Sequence, residues 1–180
     1  MAEIFAALEQ SHREALEAAP VYFVATAPAE GRINLSPKGM DSLRVLSPTR
    51  LAYLDLTGSG NETAAHLLEN DRITLMIYSF NRNALILRVY GRGRSVQAGD
   101  SEWDCLIGKF PAIAGIRQIF SIDVETVQTS CGYAVPQMEL IAERQTLVKW
   151  AEGKGEQGLA DYRSTKNMVS IDGMPTGLHS

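Results

Sequence analysis

Apolar and polar positions follow a helical period at the start of the chain, in one central segment and near the end. Elsewhere they alternate strand by strand. Residues 3–18 set Ile4, Phe5, Leu8, Ala15 and Leu16 broadly on one side, with Glu and Arg opposite, and stop before Pro20. That pattern predicts an amphipathic helix lying on the core. Residues 21–27 (VYFVATA) are β-branched and aromatic, and the turn residues Pro28 and Gly31 lead into a second run in which Arg32, Asn34 and Ser36 alternate with Ile33 and Leu35. A hairpin is expected, its second strand carrying one polar face that ends in Lys38. That face could meet solvent, or it could turn toward a ligand and bring a positive charge.

Residues 43–46 and 51–56 predict two further strands around a Ser47-Pro48-Thr49 turn, and 73–78 (ITLMIY) a nearly continuous apolar one. Residues 85–96 (LILRVYGRGRSV) read as a long strand with Gly91 and Gly93 inside it, the mark of a bulge where a sheet curls, and with Arg88, Arg92 and Arg94 on a solvated face. A short helix over 100–110 turns Trp103, Leu106 and Ile107 inward, with Cys105 packed as a small hydrophobe. Alternation over 117–129 predicts a late strand, broken by the 130–136 loop. A helix over 146–152, loosened by Gly153, Gly155 and Gly158, precedes a Gly- and Pro-containing tail over 170–180. Such a tail is expected to be disordered or to dock on a second subunit.

The chemistry concentrates in residues 54–70, LDLTGSGNETAAHLLEN, where a strand gives way to a Gly/Ser/Thr loop and then a helix. Ser59 followed three residues later by Glu62 makes a capping box, and Ala64, Leu67 and Leu68 an apolar stripe, so a helix is expected to start near Gly60. Its free first-turn N–H groups and the hydroxyls of Thr57, Ser59 and Thr63 would form a donor-rich mouth for a phosphate or carbonyl oxygen. A purely structural cap accounts for the same residues. The glycine spacing fits neither a dinucleotide fingerprint nor a P-loop. Glu62 repels an anion unless its carboxylate is engaged, so a basic partner must come from elsewhere.

With 180 residues, 45% hydrophobic and 21% charged, the chain suits a single domain. A net charge of −4, with its 17 Lys and Arg scattered, argues against nucleic acid as a partner. No apolar run reaches the roughly 18 residues of a membrane span. Two cysteines, Cys105 and Cys131, are too few for a disulfide framework, so a reduced, cytoplasmic setting is expected. His12, His66 and His179 lack ligand spacing to other metal-binding residues, and no metal site is expected. Cys131 has no His near it in sequence to activate it as a nucleophile.

Four segments resemble the pyridoxamine 5′-phosphate oxidase-related FMN-binding split-barrel family: RINLSPKG at 32–39, LDLTGSGNETAAHLLENDRITLMIY at 54–78, LILRVYGRGR at 85–94 and VQTSCGYAVP at 127–136. The likeness runs from about residue 20 to 178. It implies an α+β, mainly β fold: a six- to seven-stranded antiparallel split barrel with flanking helices. It also implies FMN held at a homodimer interface, with Asn34, Ser36 and Lys38 along the flavin or its phosphate chain and Thr57, Ser59, Asn61, Glu62 and Thr63 around its ribityl and phosphate end. Where the oxidase carries a Ser-Arg-Lys run, this chain has Asn61-Glu62-Thr63, which leaves the phosphate to Lys38, Arg32 and backbone N–H groups. Two functions fit the resemblance: an FMN-dependent oxidoreductase acting on a small-molecule substrate or electron donor, or a non-catalytic binding protein for flavin, deazaflavin or haem. No catalytic residue is assigned by either.

Overall fold

A computed structural model describes residues 2–179. In chain order it contains β1 (Glu3–Phe5), α1 (Gln10–Ala18), β2 (Tyr22–Thr26), β3 (Asn34–Lys38), β4 (Leu43–Ser47), β5 (Arg50–Leu56), α2 (Glu62–Asn70), β6 (Arg72–Tyr78), β7 (Ile86–Val96), α3 (Trp103–Ile107), β8 (Ile116–Ser130) and α4 (Thr146–Lys166). The strands form one eight-stranded sheet in the order β3-β2-β6-β7-β8-β5-β4, with β1 paired to β8. Every named strand pair is antiparallel. The sheet curls without closing, so β3 and β4 stay as its edges, and Pro37 on β3 sits where a missing N–H costs no internal ladder bond.

β8 is the spine. Its first half pairs with β5 on one side and β7 on the other, and its end pairs with β7 and β1. Inside the curl, Leu16, Val24, Tyr53, Leu75, Leu87 and Phe120 belong to the larger apolar core. A smaller cluster of Ala52, Leu54, Val96, Leu106, Phe110 and Ile119 lies under α3. Burying a side chain of this size contributes about 1.5–3 kcal/mol before entropy is counted, so β8, which feeds both clusters, couples them.

The β7–β8 ladder is irregular at Gly91, as the glycine suggests, but the extra residue is on the facing strand: Tyr90 pairs with Thr126 and Gly91 with Val124, which leaves Glu125 of β8 bulged. A Cβ on Gly91 would sit 2.2 Å from the Asp123 carbonyl oxygen, which only backbone movement could relieve. Gly91→Ala is therefore expected to destabilise the fold by about 1–3 kcal/mol, the usual cost of overpacking. Thermal unfolding of the variant measures it, and an unshifted midpoint would show that the bulge has slack.

Several expectations are corrected. Residues 3–5 are not the start of a helix but a strand on β8, and α1 begins only at Gln10, where the Glu9 N–H donates to His12 Nδ1 at 3.1 Å. This extra strand brings the count to eight. Helix α2 starts at Glu62 with Asn61 at its N-cap, so Ser59 is not the capping residue, and Leu68 of the expected stripe is exposed. Cys105 is exposed rather than packed, as is Cys131. Gly155 breaks α4 with φ of 65°, where the glycines implied loosening. Residues 170–179 of the tail are not disordered. The tail folds back on its own chain through the Val169–Pro175 bridge and buries Asn167, Ser170, Thr176 and Leu178. No described helix is long and apolar enough to cross a membrane.

Candidate functional site

The β5–α2 connection and the inner face of β3 open onto one cavity of about 310 Å³, lined among others by Asn34, Ser36, Lys38, Ser59, Asn61, Glu62 and Thr63. Period-two alternation along β3 explains half of this. Asn34, Ser36 and Lys38 turn inward, while Ile33 and Leu35 are left 77% and 65% exposed. The polar face thus points at the mouth and the apolar face at solvent, the reverse of an ordinary edge strand. The other half comes from the chain reversal after β5, which delivers α2 with no side chain on its first-turn N–H groups.

Seven of the nine residues expected at a cofactor site therefore meet around this cavity, and two do not. Thr57 is buried behind the loop, where its Oγ1 accepts from Arg163 Nε at 2.8 Å and its N–H donates to the Gly115 carbonyl at 2.8 Å. Arg32 lies at the surface, paired with Asp172 of the tail.

Two groups unforeseen from the sequence complete the lining, Asp55 and Arg117. Asp55 Oδ2 accepts from Arg117 Nε at 2.9 Å and Nη2 at 2.8 Å and from Gln118 Nε2 at 2.9 Å, while its Oδ1 accepts from Lys38 Nζ at 3.1 Å. Burial by itself would push this carboxyl up. The Lys38 and Arg117 cations, with the Gln118 and Arg117 hydrogen bonds, outweigh burial and hold it below the usual carboxylate range. Arg117 also donates from Nη1 to the Gly60 carbonyl at 2.9 Å, tying the loop to β8. Gln118 passes a second hydrogen bond to Asn61 Oδ1 at 2.7 Å. A charged residue inside the otherwise apolar run LAYLDL was the available signal, because a buried carboxylate demands a cation. Nothing local says that the cation is Arg117, 62 residues away.

Glu62 is accounted for by the tail. Both its carboxylate oxygens accept the Ile171 backbone N–H at 3.1 Å. Asn167 Nδ2 donates to the Gly58 carbonyl at 3.0 Å and the Asn167 carbonyl accepts from Asn61 at 3.3 Å, so the tail braces the loop from outside. Lys38 and Arg117 thus offset the two carboxylates of the lining, Asp55 and Glu62, and Glu62 is held by the tail's N–H rather than by either cation.

Lys38 borders a second cavity too, of about 670 Å³, whose walls are mainly apolar and include Pro20, Val21, Pro37, Met40, Phe80 and Trp150. A polar mouth and an apolar chamber thus lie on two sides of one lysine. Among the described residues no cluster of three or more metal-binding side chains occurs.

Comparison with known proteins identifies the family and the fold. A family model described as pyridoxamine 5′-phosphate oxidase matches residues 8–131. A protein of Aspergillus flavus, pyridoxamine 5′-phosphate oxidase family protein ustO, is 38% identical over 179 residues, covering 89% of this chain and 72% of the relative. Two solved structures share the fold. HupZ of group A Streptococcus superposes with a TM-score of 0.53 at 19% identity, over 67% of this chain and 91% of HupZ. A Lactobacillus delbrueckii protein named for pyridoxamine 5′-phosphate oxidase gives 0.54 at 21% identity, over 68% of this chain and 94% of its own.

Proposed function

This chain belongs to the pyridoxamine 5′-phosphate oxidase family, and from that premise we propose that it binds FMN at the β5–α2 mouth and acts as a flavin-dependent oxidoreductase. The observation that carries the reading is the position of Lys38, which borders both the polar mouth and the apolar chamber. FMN has the matching division into a phosphorylated polyol and a flat, largely apolar ring.

The donor set suits the phosphate and polyol. The α2 first-turn N–H groups and Ser59 would take the phosphate, Lys38 and Arg117 would balance its charge, and Ser36 and Asn34 would meet the polyol. Bound flavin would supply hydride and single-electron chemistry at its ring. This chain's part is to bind the cofactor, orient it and keep water from the ring. Arg117 and Gln118 hold the loop at its working shape before any ligand arrives. FMN-family binding also leads us to propose a homodimer in which the chamber beside Lys38 is completed by the partner subunit.

One observation favours a second reading, a flavin carrier without turnover. Both carboxylates that line the mouth are committed elsewhere, Asp55 to cations and Glu62 to the tail, so neither is free to move a substrate proton. Visible absorption of the purified protein, before and after FMN is added and unbound cofactor removed on a sizing column, tests the common part. Flavin bands that co-elute with a dimer are expected, and a colourless protein would end both readings. Turnover of reduced nicotinamide with a dye acceptor then separates enzyme from carrier.

A further inference from the structure

From Asn34 and Thr63 in the mouth, a chain of polar groups runs back to a buried histidine. His66 is 1% exposed on the inner side of α2, and its Nδ1 meets Thr26 Oγ1 of β2 at 3.0 Å. Asn34 Nδ2 donates to the same Thr26 oxygen at 3.2 Å and to Thr63 Oγ1 at 3.1 Å. His66 Nε2 is buried without a hydrogen-bond partner.

Proton counting gives this chain a direction in which every donor from Asn34 to Thr26 finds an acceptor. A side-chain amide has two N–H groups, and both of Asn34's are spent on the two threonines. The only free function it can turn to the cavity is its carbonyl oxygen. Thr26 has one hydroxyl proton. With its oxygen accepting from Asn34, the acceptor left for that proton within this chain is His66 Nδ1, which is bare when each of these protons has a partner, and the imidazole proton then sits on Nε2. With the proton on Nδ1 instead, Thr26 would receive it and turn its own hydroxyl to the Asn34 carbonyl. The amide would rotate and show its NH2 to the mouth.

We propose that His66, acting through Thr26, is a positioning residue that makes Asn34 present an acceptor, so that this wall of the mouth recognises a hydroxyl or ring N–H donor of the ligand and rejects an anion. The proposal rests on the flavin reading for its ligand and gives that ligand a direction: polyol or ring toward β3, phosphate toward the start of α2.

The test has one arm that needs no flavin. In the full chain labelled with 15N-histidine, His66 is expected to show a pyridine-type Nδ1 and a protonated Nε2. Its resonances should move in Thr26→Val and return in Thr26→Ser. A protonated Nδ1 in the wild type overturns the proposal whatever the protein binds. The second arm is titration with FMN, in competition with inorganic phosphate. Thr26→Val is expected to weaken FMN about tenfold, the order of one orienting hydrogen bond, leaving competition by phosphate unchanged, and Thr26→Ser is expected to restore FMN affinity. Parallel loss of FMN and phosphate binding, in step with the thermal midpoint, would reduce Thr26 to a structural residue and overturn the proposal. A wild-type protein that takes up no FMN but shows the expected tautomer would refute the flavin reading and leave the assigned polarity of Asn34 standing.

Discussion

Replacing Arg117 by methionine is expected to lower the unfolding free energy by about 3–5 kcal/mol, the cost of breaking a buried ion pair from one side. The side chains of Arg117 and Asp55 are 4% and 2% exposed, so water cannot take over the lost contacts. Two of the four hydrogen bonds on the Asp55 carboxylate come from Arg117, and the bond to Gly60 goes with them. Lys38 remains at 3.1 Å, its side chain 24% exposed, so Asp55 keeps one cation and the loss falls toward the lower end of that range.

Acidity gives this prediction a signature. Because the Asp55 carboxyl is held below its ordinary value, its contribution is fully present above about pH 4 and is lost as pH falls through the folded-state value. In Arg117→Met, burial is opposed by fewer cations and the carboxyl moves up. Protonation then relieves the variant earlier than the wild type, so the gap between the two should narrow as the solution is acidified. Urea unfolding of both proteins from neutral pH into the carboxylate range measures it. A constant gap would mean that Asp55 is not the group responsible. The double variant Asp55→Leu with Arg117→Met should recover much of the loss, since an apolar pair needs no compensation.

Lys38→Ala is expected to weaken FMN binding by about 1.5–3 kcal/mol, roughly ten- to a hundredfold, as for loss of a charge-assisted contact. The sequence alone left open whether this lysine faces solvent. Its Nζ lies against Asp55 and 5.9 Å from the Tyr53 ring centroid, inside the mouth. Truncation removes one of the two cations in the lining and leaves Asp55 and Glu62 against Arg117 alone, so the site changes from local neutrality to a surplus of one negative charge. Binding should suffer more than stability, because Asp55 keeps its two Arg117 bonds and Gln118. Fluorescence titration of FMN, set beside the thermal midpoint, separates the two effects. An unchanged dissociation constant would show that Lys38 serves Asp55 alone.

Residue pattern by itself determined most of the strands, the hairpin that carries Asn34, Ser36 and Lys38, the ladder irregularity at Gly91 and the strand–loop–helix turn at 54–70. Each is written in a period of two or 3.6 or in a turn residue within a few positions, and such information is local. Seven of the residues at the mouth could be named for the same reason, since they lie on two short segments.

Three things were decided only by tertiary structure. Residues 3–5 continue the helical pattern of residues 8–16, yet they pair with β8, because a free place beside residues 127–129 satisfies their backbone better than a fraying helix end. Ser59 and Glu62 have capping-box spacing, but the tail's Ile171 N–H claims the carboxylate from 109 residues away, and the helix starts after Asn61. The positive charge that the mouth needs comes from Arg117 as well as Lys38. It arrives through the pairing of β5 with β8, where Asp55 opposes Gln118 and the neighbouring arginine reaches the same carboxylate. Short-range pattern sets what each segment can be, whereas the partner of a buried charge is chosen by which strands lie side by side, and no local period encodes that.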